Sequence, residues 1–324
     1  MAASRKSPSS NPLASAVADC LGRYVQATHR VVVGLSGGLD SVVLLHAVRE
    51  CGYNVSALHV HHGLSPNADG WSDFCIDLCA RDGIPLAIER VAVERNARDG
   101  LEGAARRARH AVYDHVDADW VLLAHHRGDR AETMLFNLLR GAGVRGAGAM
   151  GERNGRLLRP LLTVGRDDIL AYARRHGLGW IEDESNADVR FSRNFLRHRI
   201  LPVMRERFPA AEARLASASG RFAEAADLLD ELAVMDLEGH EACFPLSIDV
   251  LSRLSERRAR NVLRLLLSRA GVGIPSEERL AEVLRQCLTA KADRHPAVAF
   301  GEWQLRRRGQ EITLEPMGYQ LPRG

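Results

Sequence analysis

The chain has 324 residues, 46% of them hydrophobic and 26% charged, and a net charge of +3 at pH 7. That length suggests two domains with room for a small third element, and the apolar content is ample for a core. No apolar run reaches membrane-spanning length, no signal-peptide pattern opens the chain, and the six cysteines form no C-x-x-C pair, so a cytoplasmic protein with reduced thiols and no membrane partner is expected.

Residues 1–12 are polar and proline-broken and read as a disordered tail. Leu13 to Gln26 reads as a lead-in helix. Val31 to Leu35 is a β-branched apolar run, the pattern of a buried strand, which Ser36-Gly37-Gly38 breaks before a helix over Ser41 to Arg49. Strand, glycine turn and helix form a phosphate-binding context: successive backbone N–H groups make an anion nest, and the helix N-terminus adds positive potential. Neither a Gly-Lys-Ser/Thr step nor a G-x-G-x-x-G pattern is present, so the turn is neither a Walker loop nor a dinucleotide fingerprint. Instead Asp40 lies inside it. A bare carboxylate repels phosphates unless a divalent cation bridges them, which fits Mg²⁺ with the pyrophosphate end of ATP. The plainer alternative is a glycine turn with Asp40 as a helix cap.

Asn54 to Val60 reads as a second strand running into His59-Val60-His61-His62-Gly63-Leu64, Gly70 to Arg81 as a helix, and Pro85 to Val91 as a third strand. A helix over Leu101 to Val116, a fourth strand over Trp120 to Ala124 that ends in His125-His126, and a helix over Ala131 to Arg140 follow. This alternation specifies an α/β fold with a parallel, doubly wound sheet. Ser36–Asp40, His59–His62 and His125–Asp129 all follow carboxyl ends of strands, the edge where such sheets bind ligands. The histidines also admit a zinc site, but no cysteine or carboxylate stands at a tight ligand spacing with them. Nucleotide contact or capping of the sheet suits them better.

Glu102, Arg106, Arg109 and Tyr113 share one stripe of the 101–116 helix, offering its arginines to phosphate or nucleic acid, or forming a solvated face with a Glu102–Arg106 pair. Asp129 and Glu132 flank the start of the next helix, where they can share a metal and its waters or serve as favourable first-turn acids. Arg140 to Gly148 is glycine-rich and reads as a flexible loop long enough to close over a substrate.

Leu158 to Leu162 is extended, Asp167 to His176 helical, and Asp183 to Asn186 a turn cluster. Arg190, Arg193, Asn194, Arg197 and Arg199 then run into a helix that ends near Pro202. Arginines 190, 193 and 197 follow helical spacing, so that face is a candidate for RNA phosphates as well as for plain solvation. From Arg140 to Arg214 there are fifteen arginines, no lysine and nine acids, a surplus that points to a second polyanion beside the nucleotide. Ala211 to Leu237 is one long helix, and Pro245 closes the linker after it. The expected organisation is a tail at 1–12, an ATP-binding domain at 13–210, a linker helix at 211–240 and a small, mainly helical domain at 241–324. In that last part Leu251 to Ala270 reads as a single helix, Ser276 starts another, and Ala297 to Glu315 reads as short strands with Arg306–Arg308 as a basic tip.

Ser36-Gly37-Gly38-Leu39-Asp40-Ser41 resembles the SGGxDS loop of the PP-loop ATP pyrophosphatases. Further stretches resemble one family among them, the tRNA(Ile)-lysidine synthases: His59–Leu64, Glu102–Arg106, Ala124–His126 through Glu132-Thr133, Arg140–Gly143, Arg159–Leu162, Asp183–Asn186 with Arg193-Asn194, and Leu251–Ser276. The resemblance spans roughly residues 28 to 310. It implies that ATP adenylates the carbonyl oxygen of the wobble cytidine in a tRNA(Ile) with a CAU anticodon, and that the ε-amine of free L-lysine then displaces AMP. The matching residues imply Ser36 to Ser41 with His59, His62 and His125 for ATP, Asp40 for Mg²⁺, and Asp40, Asp129 and Glu132 for the chemistry. They imply Glu102, Arg106, Arg140, Arg193 and Asn194 for substrate and tRNA, and the two helical stripes add Arg109 and Arg197. A homodimer is one candidate assembly.

Two departures stand out. Relatives usually carry a pair of aspartates after the two histidines, and here Gly128 replaces the first; Arg130 stands where glutamine is common. The chain also ends soon after the small domain, as in the short type of this family. Rival readings are another PP-loop tRNA enzyme, such as a thiolase or an amidotransferase-type synthetase, and a nucleotide-binding module without catalysis. The lack of C-x-x-C weakens the thiolase, and no glutaminase-like nucleophile is evident.

Overall fold

The computed structural model describes residues 11–94, 100–183, 188–290 and 294–318; the Glu102 side chain and positions 184–186 of the turn cluster lie outside the described residues. The chain divides into two compact units, Met1–Ala223 and Glu224–Gly324.

The first unit is built on six strands: β1 (Val31–Gly34), β2 (Val55–His61), β3 (Leu86–Arg90), β4 (Trp120–Leu122), β5 (Arg153–Asn154) and β6 (Leu157–Leu158), in the order β3-β2-β1-β4-β6-β5. All pairs are parallel except β5 with β6. The chain winds outward from β1 to β3 on one side and from β4 to β6 on the other. The order therefore reverses between β1 and β4, where a doubly wound sheet opens its ligand crevice. Its helices are α1 (Pro12–Tyr24), α2 (Leu39–Glu50), α3 (Ala68–Asp82), α4 (Gly100–His115), α5 (Arg127–Leu139), α6 (Val144–Ala147), α7 (Arg166–Arg175), α8 (Ser192–Phe195) and α9 (Leu201–Arg207). Val33, Leu44, Val48, Leu122 and Leu161 fill the core between sheet and helices. Cys75 and Cys79, one turn apart on α3, are small core residues there.

Several boundaries shift for local reasons. Asn11 and Pro12, expected in the tail, cap and open α1: the Asn11 side chain accepts from the Leu13 N–H, and proline is preorganised for the first turn. α5 starts four residues earlier than its apolar pattern suggests, because His126 acts as a side-chain cap. The Arg140–Gly148 segment is not an open loop. Val144–Ala147 forms the turn α6, Asn137 Nδ2 donates to the Gly146 carbonyl at 2.7 Å, and Ser219 Oγ donates to the Ala147 carbonyl at 3.1 Å.

α10 (Ala211–Asp236) contains the division between the units. Its first half packs with the 147–148 turn, while Leu229 and Asp236 further on bond to Asn261 and Arg258. The second unit continues with β7 (Leu246–Ser247), α11 (Ile248–Ser252), α12 (Glu256–Arg269), α13 (Glu277–Thr289) and strands β8 (Ala297–Phe300), β9 (Trp303–Arg308) and β10 (Glu311–Pro316). The sheet is antiparallel, in the order β7-β10-β9-β8. The single helix expected over Leu251 to Ala270 is two, since Ser255 adopts extended backbone and becomes the N-cap of α12. Arg306–Arg308 is no free basic tip: it lies in β9, where Arg306 and Arg308 pair with Glu315 and the buried Arg307 donates to the Cys287 and Ala290 carbonyls.

Candidate active site

The glycine turn after β1 is held open as a cradle. Gly37 has φ +83°, the left-handed region that glycine enters freely, and a Cβ there would lie 2.7 Å from the Ile181 side chain. The Ile181 N–H donates to the Gly37 carbonyl at 2.9 Å, fixing the turn from outside. Ser41 Oγ donates to the Gly38 carbonyl at 2.9 Å and stands 3.1 Å from Ser36 Oγ, so the two hydroxyls brace the loop. Gly38 is the N-cap of α2, and no side chain caps that end. The Leu39 and Asp40 N–H groups are thus left for an anion, while that of Ser41 donates to the Gly38 carbonyl at 3.1 Å. Leu39, in the first turn, is buried and anchors the helix start.

Asp40 follows, in that same first turn. Its Oδ2 is 4.0 Å from His126 Nε2 and 3.5 Å from Arg166 Nη1. Its Oδ1 is buried and has no hydrogen-bond partner. Burial pushes the Asp40 carboxyl up, against the pull of His126 and Arg166. An unpartnered carboxylate oxygen at a phosphate cradle is the donor that Mg²⁺ takes, since that ion binds few protein oxygens and completes its shell with water and phosphate. The residues therefore fit the ion expected there.

The second half of the site comes from α5. The His126 backbone N–H donates to Asp129 Oδ2 at 2.9 Å, and the Gly128 N–H donates to His126 Nδ1 at 2.9 Å, a reciprocal cap. Because Nδ1 accepts, the ring proton sits on Nε2, which lies 3.7 Å from Asp129 Oδ2 as well as near Asp40. One histidine thus faces both acids. A Cβ on Gly128 would sit 2.7 Å from His126 Cε1, so the glycine that replaces an expected aspartate makes room for this ring.

Asp129 and Glu132 converge on Arg197. Its Nη2 donates to Asp129 Oδ1 at 2.9 Å and to Glu132 Oε2 at 2.8 Å, and its Nε donates to Glu132 Oε1 at 2.7 Å. Burial alone would raise the Asp129 carboxyl, yet His126, His125 and Arg197 together hold it low. Glu132 is driven up by burial despite Arg197. Arg197 comes from a π-helical turn, Leu196–Ile200, a distortion frequent at functional sites. The arginine stripe expected at 190, 193 and 197 does not form. Helix starts only at Ser192, Arg190 pairs with Asp188, and Arg197 is committed to carboxylates rather than to an RNA phosphate.

Burial holds His59, His62 and His125 below the ordinary imidazole range. His59 is buried and bonds through Nδ1 to the Leu35 carbonyl at 2.8 Å, tethering the strand end that leads into the loop. His61 contacts Asp69 Oδ1 at 3.1 Å, where Arg90 also binds. Burial, reinforced by Arg109, lowers His62 to about 4, and its Nδ1 is buried without a partner. Burial lowers His125 to about 3. The buried Arg159 donates from Nε to His125 Nδ1 at 3.3 Å, which places the imidazole proton on Nε2. Arg159, in the Arg-Pro-Leu-Leu segment, has its own pKa lowered to about 10 by burial and then by Arg106. Arg106 and Arg109 of α4 are thus grouped around His62, His125 and Arg159. Arg140 and Arg193 meet elsewhere, over the Phe136 ring, and Asn194 Nδ2 donates to the Asp188 carbonyl at 3.0 Å. Sequence reasoning read His126 only collectively with the other strand-end histidines and assigned no role to Arg159 or Arg166. The His126-x-x-Asp129 spacing was the available signal for the first, but histidine is an unusual cap.

Residues 10–204 match the PP-loop domain family and residues 246–313 the TilS substrate binding domain. A tRNA(Ile)-lysidine synthase of Azoarcus sp. is 49% identical over 270 residues, which cover 79% of this chain and 59% of the relative. One of Nitrosomonas europaea is 44% identical, over 86% of this chain and 64% of its own length. One of Alkalilimnicola ehrlichii is 44% identical, over 90% and 67%. The chain thus spans roughly 60% of the first two relatives, 59% and 64% of their lengths. Among solved structures, a U34-tRNA thiolase of Methanococcus maripaludis with its [4Fe-4S] cluster aligns with a TM-score of 0.53 and 20% identity, over 65% of this chain and 78% of that one. At that identity the likeness is one of fold.

Proposed function

The chain belongs to the tRNA(Ile)-lysidine synthase family of PP-loop proteins, and from that premise we propose that it is a ligase that forms a carbon–nitrogen bond between free L-lysine and the wobble cytidine of tRNA(Ile) bearing CAU. ATP is the energy source, and AMP and pyrophosphate are the by-products. The observation that carries the reading is that His126 Nε2 stands 4.0 Å from the loop acid Asp40 and 3.7 Å from the helix acid Asp129, joining a phosphate cradle to a carboxylate cluster.

The chemistry has two steps. The cytidine carbonyl oxygen attacks the α-phosphorus of ATP; an O–P bond forms and the bond to pyrophosphate breaks. The N–H groups of Gly37, Leu39 and Asp40 hold the departing phosphates, and His59 keeps the loop in place. Asp40 would hold Mg²⁺, which would supply neutralisation of the pyrophosphate charge. Adenylation turns a poor leaving oxygen into a good one. The lysine ε-amine then bonds to the carbonyl carbon while the C–O bond to AMP breaks. That amine must be deprotonated first, and Glu132, raised by burial, is the group suited to take the proton. Arg197 keeps Glu132 and Asp129 aligned, and His125, neutral with its proton on Nε2, acts as a hydrogen-bond donor rather than an acid or base. The half-buried Arg106 and Arg109 and the buried Arg159 supply positive potential for phosphate or tRNA. Lysidine pairs with adenosine, so the product tRNA would decode as isoleucine.

Nucleoside mass spectrometry tests this. The protein is incubated with ATP, Mg²⁺, lysine and either a tRNA(Ile) or a methionine tRNA bearing CAU. A lysine-sized mass gain on the wobble cytidine of the first alone is expected. ATP cleavage without that gain would move the substrate elsewhere in the PP-loop superfamily.

A further inference from the structure

Phe136 lies on α5 one turn beyond Glu132, and two guanidinium groups approach its ring: Arg140 at 5.1 Å from the centroid and Arg193 at 5.7 Å. Helical spacing explains the first contact. Glu132, Phe136 and Arg140 are four residues apart in turn, so they share one face of α5. Arg193 precedes Arg197 by four residues on the segment that crosses this face. The two segments therefore meet in two rungs. In the inner one Arg197 binds Asp129 and Glu132; in the outer one Arg193 and Arg140 flank Phe136.

The rungs differ in what the arginines meet, two carboxylates in the inner one and a π face in the outer one. Arg140 is exposed and makes no ion pair among the described residues. Leu139, beside it, is 74% exposed and widens the apolar surface. The α6 turn next to the rung is fixed by Asn137 and Ser219, so the platform has a firm edge.

We propose that Phe136, Arg140 and Arg193 form a stacking seat for an unpaired RNA base that neighbours the reacting cytidine. Planar guanidinium and phenyl groups present faces on which any base stacks, unlike the point contacts of a phosphate clamp. Phe136 follows Glu132 by one helical turn, about 5–6 Å along the α5 axis, the reach of a single nucleotide. The arginine surplus from Arg140 to Arg214 supplies the attraction for the backbone on either side. The identity of the RNA rests on the proposed function; the stacking contact does not.

The test couples a base to a side chain. Binding of the full chain to a CAU anticodon stem-loop RNA is measured by fluorescence anisotropy, with the intact RNA and with an abasic nucleotide on either side of the wobble cytidine. The proteins are wild type, Phe136→Leu and Arg140→Lys; the lysine keeps the charge and removes the plane. For the wild type, one abasic position is expected to weaken binding about tenfold, within the range for a stacked base. Both variants should bind the intact RNA about tenfold more weakly than wild type and be indifferent to that abasic site. Equal weakening of intact and abasic RNA by the variants, no weakening at all, or no RNA binding by the wild type would overturn the seat. Arg140→Lys, at an exposed position, keeps the test valid if Phe136→Leu unfolds. Lysine incorporation into the same stem-loop separates the two readings. Incorporation without base coupling removes the seat and leaves the function; coupling without incorporation does the reverse.

Discussion

Asp40 combines an unpartnered buried oxygen with a carboxyl raised by burial, so it costs the fold stability, as expected of a group kept for the proposed cation. Asp40→Asn should therefore abolish tRNA-dependent pyrophosphate release while the melting temperature holds or rises, which calorimetry and a pyrophosphate assay check side by side. Arg197 is the opposite case. Removing it leaves Glu132 and Asp129 buried with their partner gone, and Arg197→Ala should lose about 3 kcal/mol in urea unfolding. Arg197→Lys should recover only part of that, since an ammonium cannot bind both oxygens of Glu132 in parallel. The loop residues from Ser36 to Ser41 were legible from sequence because the strand–glycine–helix pattern is local. The carboxylate partners of Arg197 were not legible because they are 65 and 68 positions away, and spacing along one helix says nothing about what faces it.

At the level of elements, alternating apolar runs were enough to predict β1 to β4 and the helices between them, since each covers a face that must be buried. What the pattern missed were features set by single caps and close approaches. Ser255 splits one apolar stretch into α11 and α12, and His126 moves the start of α5. The Arg140–Gly148 segment is instructive: six glycines and alanines within it read as flexibility, yet small residues also allow backbones to touch. A Cβ on Gly148 would lie 2.5 Å from the Ala223 backbone nitrogen. Gly148→Ala should thus destabilise by about 1–3 kcal/mol, the usual cost of overpacking, and raise amide exchange over α6. Unchanged exchange there would mean that the turn is mobile after all.

At the scale of the molecule, charge and pH meet. Burial holds His59 below its ordinary value, His62 at about 4 and His125 at about 3. The unfolded chain takes up protons near pH 6.5 that the folded chain refuses, so these groups contribute their full stability above that pH and lose it progressively as pH falls towards 3. The buried His59 accounts for at most about 1.4 kcal/mol per pH unit in that window, and the half-buried His62 and His125 for less. Thermal unfolding should be flat from pH 7 to 8 and decline below about 6.5, with a shallower decline in His125→Gln. Among the described residues no helix is long and apolar enough to cross a membrane. The arginine surplus was visible in the sequence, but its division was not. Some arginines pair with nearby acids, as Arg190 does, and others gather around His125 or Phe136.

The contact between Gly128 and the His126 ring also constrains how this site can change over generations. The imidazole occupies the space that any side chain at 128 would need, and it is bonded to the Gly128 N–H itself. Restoring an aspartate at 128 while His126 stays in place displaces the cap and the proton that faces Asp40 and Asp129. The two positions are therefore coupled: relatives that keep both histidines beside the paired aspartates must hold the ring at 126 in another orientation, so the placement of the imidazole proton here goes with the glycine.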